Sequence, residues 1–232
     1  MKVFAISDLH LPGGQDKPMH VFGEQWRDHP MKIGRAWRER IDPDDLVLVG
    51  GDLTWAMRLP EALPDIDYLE RLPGRKVLIK GNHDYWWTTD AKVRAVLPGS
   101  LTILNGHAIR IGDLAIAGTR GWSLPSTPEF SEQDARIYQR ELGRLERALV
   151  EMTALAAPHR LALIHYPPAS QDDPASELAL LLEKFQVPTC VYGHLHGVAE
   201  HERAIKGDHR GVFYHLTACD YLDFAPVEIP LR

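Results

Sequence analysis

Cysteine, positive charge and long apolar runs are what this chain of 232 residues has least of. Its two cysteines, Cys190 and Cys219, rule out a disulfide framework and a cysteine-rich zinc module. The 26 Lys and Arg are outnumbered by 32 Asp and Glu, a formal charge of −6, so a basic surface that coats nucleic acid is not expected. The stretch Phe185–Ala199 lacks Asp, Glu, Lys and Arg, yet its Gln, Pro, Gly and His residues make it no bilayer span. The opening Met1-Lys2-Val3-Phe4-Ala5-Ile6 meets Asp8 too soon for the apolar region of a secretory signal. The expectation is a cytoplasmic protein with no membrane attachment. What the chain does have is twelve histidines, together with 44% apolar and 25% charged residues, which are globular values.

Short apolar runs recur and end in polar or glycine residues. They predict strands at 2–7, 45–50, 76–80, 101–104, 107–111, 114–119, 160–165, 189–192, 212–216 and 227–229. Helical patterns lie between them, near 31–40, 64–72, 88–97, 132–155 and 176–185. The clearest carries Tyr138, Leu142, Leu145, Leu149 and Met152 on one stripe, with Ser131 and Asp134 as a capping pair. Turns at Asn105-Gly106 and Gly112-Asp113 predict antiparallel hairpin strands over 105–119, so the sheet system is expected to be mixed. The alternation argues for α/β layering in one domain over residues 1–232. The loops 11–30 and 120–130 are long enough to invite a functional reading.

Several strands end in possible metal ligands: Asp8 and His10, Asp52, Asn82, His165, and His194 with His196. Ligand sites in α/β sheets lie beyond the carboxyl ends of strands, so these segments deliver carboxylate, amide and imidazole groups to one edge. Residues two apart in extended chain point the same way, which predicts that Asp8 converges with His10 and His194 with His196. The set contains no thiolate and suits two divalent ions, Mn first, with Fe or Zn as alternatives. Asp8, His10, Asp52 and His196 would hold one ion; Asp52, Asn82, His165 and His194 would hold the other, with Asp52 bridging.

The order Asp-x-His, Gly-Asp, Gly-Asn-His-Asp, His, Gly-His-x-His over residues 8–196 resembles the calcineurin-like metallophosphoesterase superfamily. The resemblance implies a four-layer α/β/β/α sandwich of two mixed sheets flanked by helices. It implies hydrolysis of a phosphate mono- or diester by in-line attack of a metal-bridging hydroxide. Asn82 would stabilise charge on the phosphoryl oxygens, His83 would act on the leaving group, and Asp84 would orient the His83 ring. The other histidines, His20 and His29 among them, read as surface or packing residues.

Around these motifs lie Trp55, Trp86 and Trp122, which read either as an aromatic rim for a flat substrate group or as packing. Arg58 and Arg120 are candidates to orient a phosphate. The expected partner is a phosphorylated small molecule or a nucleotide-like substrate. Stable binding of duplex nucleic acid is not expected, and the oligomeric state is left open. A metal-binding nucleotide-sensing or scaffold module with negligible turnover is the alternative function.

Overall fold

The computed structural model describes residues 1–14 and 17–232; Gln15 and Asp16 of the first long loop lie outside the described residues. The chain packs as two compact units, residues 1–103 with 217–230, and residues 104–216 with 231–232. Each is built on its own mixed β-sheet with helices, the α/β layering expected from the alternating pattern.

The first unit begins with three parallel strands, β1 (Val3–Ile6), β2 (Leu46–Val49) and β3 (Arg75–Ile79). All four residues of β1 and of β2 are buried, as in a parallel sheet covered on both faces. The strands are joined through helices α1 (His29–Arg40) and α2 (Leu59–Glu70). A short helix α3 (Asp90–Arg94) leads to β4 (Leu101–Leu104) at one edge of the sheet. The strand numbered β11 (Val227–Glu228) pairs antiparallel with β1 at the other edge. In register, Ile6 faces Val49 and Val49 faces Leu78, so the three parallel strands end level with one another. Their carboxyl ends run directly into Asp8, Asp52 and the turn Gly81–Asp84.

Several boundaries differ from the sequence reading, α3 among them: it spans Asp90–Arg94 and not 88–97. Helix α2 starts at Leu59 rather than at Pro64, because Pro60 occupies the first turn and the Glu61 carboxylate accepts from the Met57 and Arg58 N–H groups. Pro64 is accommodated inside it. The loop 11–30 is not without structure: Met19–Phe22 and Glu24–Trp26 are single 3₁₀ turns, and α1 already begins at His29.

The second unit carries β5 (His107–Ile111), β6 (Leu114–Thr119), β7 (His159–Ile164), β8 (Thr189–Tyr192), β9 (Gly207–His209) and β10 (Val212–Leu216). Their order in the sheet is β5-β6-β7-β8-β10-β9. Strands β6, β7, β8 and β10 are parallel, and β5 and β9 are antiparallel edges. Gly112-Asp113 makes the expected tight hairpin between β5 and β6. Asn105-Gly106 does not close a hairpin: β4 and β5 belong to different sheets, and the turn carries the chain from one to the other.

Helix α4 (Glu132–Ala154) packs on β5 and β6 and buries Tyr138, Leu145, Leu149 and Met152. Its capping box is reciprocal, with Asp134 N donating to Ser131 Oγ and Ser131 N donating to the Asp134 carboxylate. The stripe also buries the Glu141 carboxylate, which accepts from Thr119 Oγ1 at 2.9 Å and Arg144 at 2.6 Å. Helices α5 (Glu177–Lys184) and α6 (Val198–Arg203) complete the unit. No described helix is long and apolar enough to cross a membrane.

His215, in β10, packs its ring 4.7 Å from that of Phe213. Burial, with the Arg232 charge adding to it, pushes its pKa down to about 4. Between pH 6.5 and 4 the unfolded chain therefore takes up a proton at this position that the folded chain refuses. The stability contribution is complete above 6.5 and is lost as the pH falls. His215→Asn should flatten the pH dependence of the denaturant midpoint in this window. An unchanged slope would contradict the assignment.

Candidate metal centre

The first unit presents Asp8, His10 and Asp52 as a cluster. A carboxylate oxygen of Asp8 lies within 4.8 Å of a ring nitrogen of His10 and, separately, of a carboxylate oxygen of Asp52. His10 Nε2 stands 3.9 Å from Asp52 Oδ2. All three side chains are buried, and Ser7 Oγ donates to Asp8 Oδ2 at 2.6 Å. Two buried carboxylates this close repel one another in a low dielectric unless a cation lies between them. Two hard oxygen donors beside an imidazole are the donor set of a divalent ion such as Mn, Fe or Zn, so the residues fit the expected cofactor.

Convergence is achieved by a route other than the extended one. Asp8, His10 and Asp52 have φ of 60°, 45° and 52°, in the left-handed region. Asp8 and His10 are therefore not in the extended conformation from which their convergence was expected, although their side chains do meet. Each such residue costs about 1–3 kcal/mol and persists only where its surroundings over-determine it. Here the loops after β1 and β2 continue as a ladder: Asp8 N donates to Gly51 O, His10 N to Asp52 O and Leu11 N to Leu53 O, at 2.9–3.0 Å. Cys219 Sγ donates to the Asp8 carbonyl, and Cys219 N to Ser7 O.

Asp84 takes a different role from the one expected of it. It is fully buried, and its two oxygens accept from Asp52 N, Leu53 N, Gly81 N and Trp86 Nε1 at 2.7–2.9 Å. That fills the acceptor capacity of a carboxylate, so Asp84 does not orient the His83 ring. It ties the turn after β3 to the backbone of Asp52. Burial pushes its carboxyl pKa up, while the N–H donors, which favour the anion, pull it down. Gly81 stands against Asp52 so closely that a Cβ would lie 2.0 Å from Asp52 Oδ1. The same oxygen accepts from His83 N at 2.8 Å.

The His83 ring is placed by aromatic neighbours instead. It lies 4.7 Å from the Trp55 ring and 5.6 Å, edge-on, from His10. Trp55 stacks on His10 at 4.7 Å and donates to Met19 Sδ. Asn82 is half-buried on the same turn. Trp86 has no exposed surface, so it packs the turn and cannot offer a face to a substrate. Arg58 is exposed at the N-terminus of α2, and among the described residues no contact brings it to the cluster.

In the second unit, His165 is buried directly after β7, where its N–H donates to Arg120 O and its carbonyl accepts from Gly193 N. The His165 and His194 rings lie 5.2 Å apart, and Tyr166 packs against His194 at 4.0 Å. His194 has φ 71°, and Leu195 N donates to Gly193 O across it, a γ-turn that aims its ring out of the strand line. His194 is therefore not in the extended conformation from which its convergence with His196 was expected. His196 is half-buried two residues on. The Arg120 side chain is held 3.5 Å from buried Glu141 and over the Trp122 ring, so it braces α4 rather than standing free for phosphate. Trp122 packs at a tilt 5.2 Å from the Tyr166 ring and donates to Asp134, a packing role.

Two supporting residues carry no sequence signal. His29 is buried, with one ring nitrogen 3.1 Å from the His10 carbonyl and the other 3.1 Å from the Trp26 carbonyl, and burial lowers its pKa. His20 lies in the same long loop and is exposed, so nothing in the sequence separates the two. Cys219 sits beneath Asp8, and burial raises both cysteine pKa values, so neither thiol is a nucleophile.

Asp84→Asn strands two of the four donors and should destabilise the protein by roughly 2–6 kcal/mol and empty the metal site. A residue that merely oriented His83 would leave thermal stability and metal content intact. Gly81→Ala forces Asp52 aside and should cost about 1–3 kcal/mol together with most metal affinity, read by melting temperature and elemental analysis. Unchanged values for both would contradict the close approach.

The Gene 66 protein of Mycobacterium phage D29 is 29% identical over 133 residues, 48% of this chain and 65% of the phage protein. The match thus spans slightly under two thirds of that relative. A protein of unknown function from Aquifex aeolicus superposes with a TM-score of 0.54 at 14% identity, covering 98% of this chain and 95% of its own. A phosphopantetheinyl hydrolase from Mycobacterium tuberculosis superposes with a TM-score of 0.53 at 16% identity and the same coverage, 98% and 95%. Both show likeness of fold. A calcineurin-like phosphoesterase family model matches residues 1–198, and the chain belongs to that family.

Proposed function

We propose that the protein is a phosphoesterase that uses two divalent metal ions to hydrolyse a phosphate mono- or diester in the cytoplasm. The observation that carries this is the buried cluster of Asp8, His10 and Asp52 at the level ends of adjacent parallel strands. The reading takes residues 1–232 as one catalytic domain. Asp8, His10, Asp52 and His196 would hold the first ion, and Asp52, Asn82, His165 and His194 the second, with Asp52 shared. Manganese is the favoured metal for this nitrogen and oxygen donor set, with iron or zinc as alternatives. Bound there, the ions would polarise the phosphoryl oxygens and lower the pKa of an attacking water.

The chain's own groups do the rest. The Asn82 amide would donate to a phosphoryl oxygen as charge develops on it. His83 stands beside His10 with its ring fixed by Trp55, so it can reach an ester bound at the cluster and give a proton to the leaving oxygen. Its N–H to Asp52 Oδ1 fixes the backbone from which it reaches. The fold likeness to a phosphopantetheinyl hydrolase supports the same class of reaction.

The test is hydrolysis of aryl phosphate mono- and diesters by Mn²⁺-loaded protein. Asp52→Asn should abolish metal binding and activity together. His83→Ala should keep both metals and lose about 10²–10⁴ in kcat. Loss of a metal in His83→Ala would make it a ligand. Two bound metals without turnover of any ester would favour a sensing module.

A further inference from the structure

The second unit contains a cavity of about 400 Å³ that has His194 and Tyr166 on its wall. Since His194 is one of the proposed ligands, a group attached to a phosphate held there would lie in this cavity. Tyr166 is nearly buried and packed against the His194 ring, so that end of the cavity is fixed. Leu124 and Ala169, both buried, contribute apolar surface to the wall.

The remaining walls are polar but without spare positive charge. Ser123, Ser126, Thr127, Ser170 and Gln171 line it with hydroxyl and amide groups. Its one arginine, Arg203, is paired with Asp172 at 2.7 Å. Glu200 adds a negative charge that no lining cation balances. A second phosphate or carboxylate on the substrate would meet this excess of acid and lose solvation without gaining a partner. A neutral group rich in hydroxyls or amides would find donors and acceptors on several sides. The volume lies near the low end for ligand sites and suits one small group rather than a polymer.

We infer that this cavity selects phosphate esters of small, uncharged, hydrogen-bonding alcohols and rejects substrates that carry a second anionic group. The inference rests on the phosphoesterase reading and names its substrate class. A matched pair tests it: fructose 6-phosphate and fructose 1,6-bisphosphate, with Mn²⁺-loaded protein. The monophosphate should be preferred in kcat/KM by about tenfold or more. Thr127→Arg, which places a cation on the cavity wall, should bring that ratio close to one, chiefly through KM. Equal rates in the wild type, or an unchanged ratio in a Thr127→Arg protein of normal melting temperature and metal content, would overturn the inference. Turnover of neither sugar nor any aryl phosphate would overturn the phosphoesterase reading instead. The cavity is then judged by calorimetry with the same two sugars. There, tighter binding of the monophosphate, lost in Thr127→Arg, supports the selection, and equal affinities overturn it.

Discussion

The four N–H groups that converge on the Asp84 carboxylate hold together three pieces of chain: the loop after β2, the turn after β3 and the indole of Trp86. Without that anion, four donors would be buried with nothing to accept from them, and Asp52 would lose one of the bonds that hold its left-handed φ. Gly81 belongs to the same arrangement, since the turn can press against Asp52 only where no Cβ intervenes. The acidic residue nearest the expected catalytic histidine is thus a backbone clamp. It fixes the backbone of Asp52, a proposed metal ligand, and the His83 ring is left to Trp55 and His10.

Strain and burial are distributed to one purpose. Asp8, His10, Asp52 and His194 all adopt positive φ, an arrangement that asparagine or glycine would adopt at less cost. Each is offset by local bonds: the ladder between the first two loops, Cys219 and Ser7 around Asp8, and the bonds from Gly193 N to His165 O and from Leu195 N to Gly193 O on either side of His194. Charged side chains are placed where oxygen and nitrogen donors face inward from strand ends. The acidic net charge of −6 is therefore compatible with a site that takes an anionic ester once cations are bound.

Much of this was legible because apolar runs that end in glycine or aspartate announce buried strands whose carboxyl ends carry ligands. Strands β1 to β8 and β10 fall within about a residue of their predicted spans, and the stripe of α4 buries Tyr138, Leu145, Leu149 and Met152 as its periodicity requires, with Leu142 half-buried. Strand β9, three residues of Gly-Asp-His, and helix α6, which buries none of its residues, had no apolar pattern to betray them. The roles of Asp84, His29 and Cys219 were illegible for a different reason: their partners are largely backbone groups, which residue identity does not encode. The tryptophans show the same limit. Trp55 and Trp86 flank adjacent motifs, but one stacks on His10 and the other is sealed in the core.

The central claim is the proposal that Asp52 is shared by two metal ions. Anomalous diffraction from Mn²⁺-loaded crystals tests it most directly. The account predicts two peaks flanking the Asp52 carboxylate, one also against Asp8, His10 and His196, the other also against Asn82, His165 and His194. A single peak, or peaks that leave Asp52 or the histidines of the second unit outside coordination distance, would contradict it.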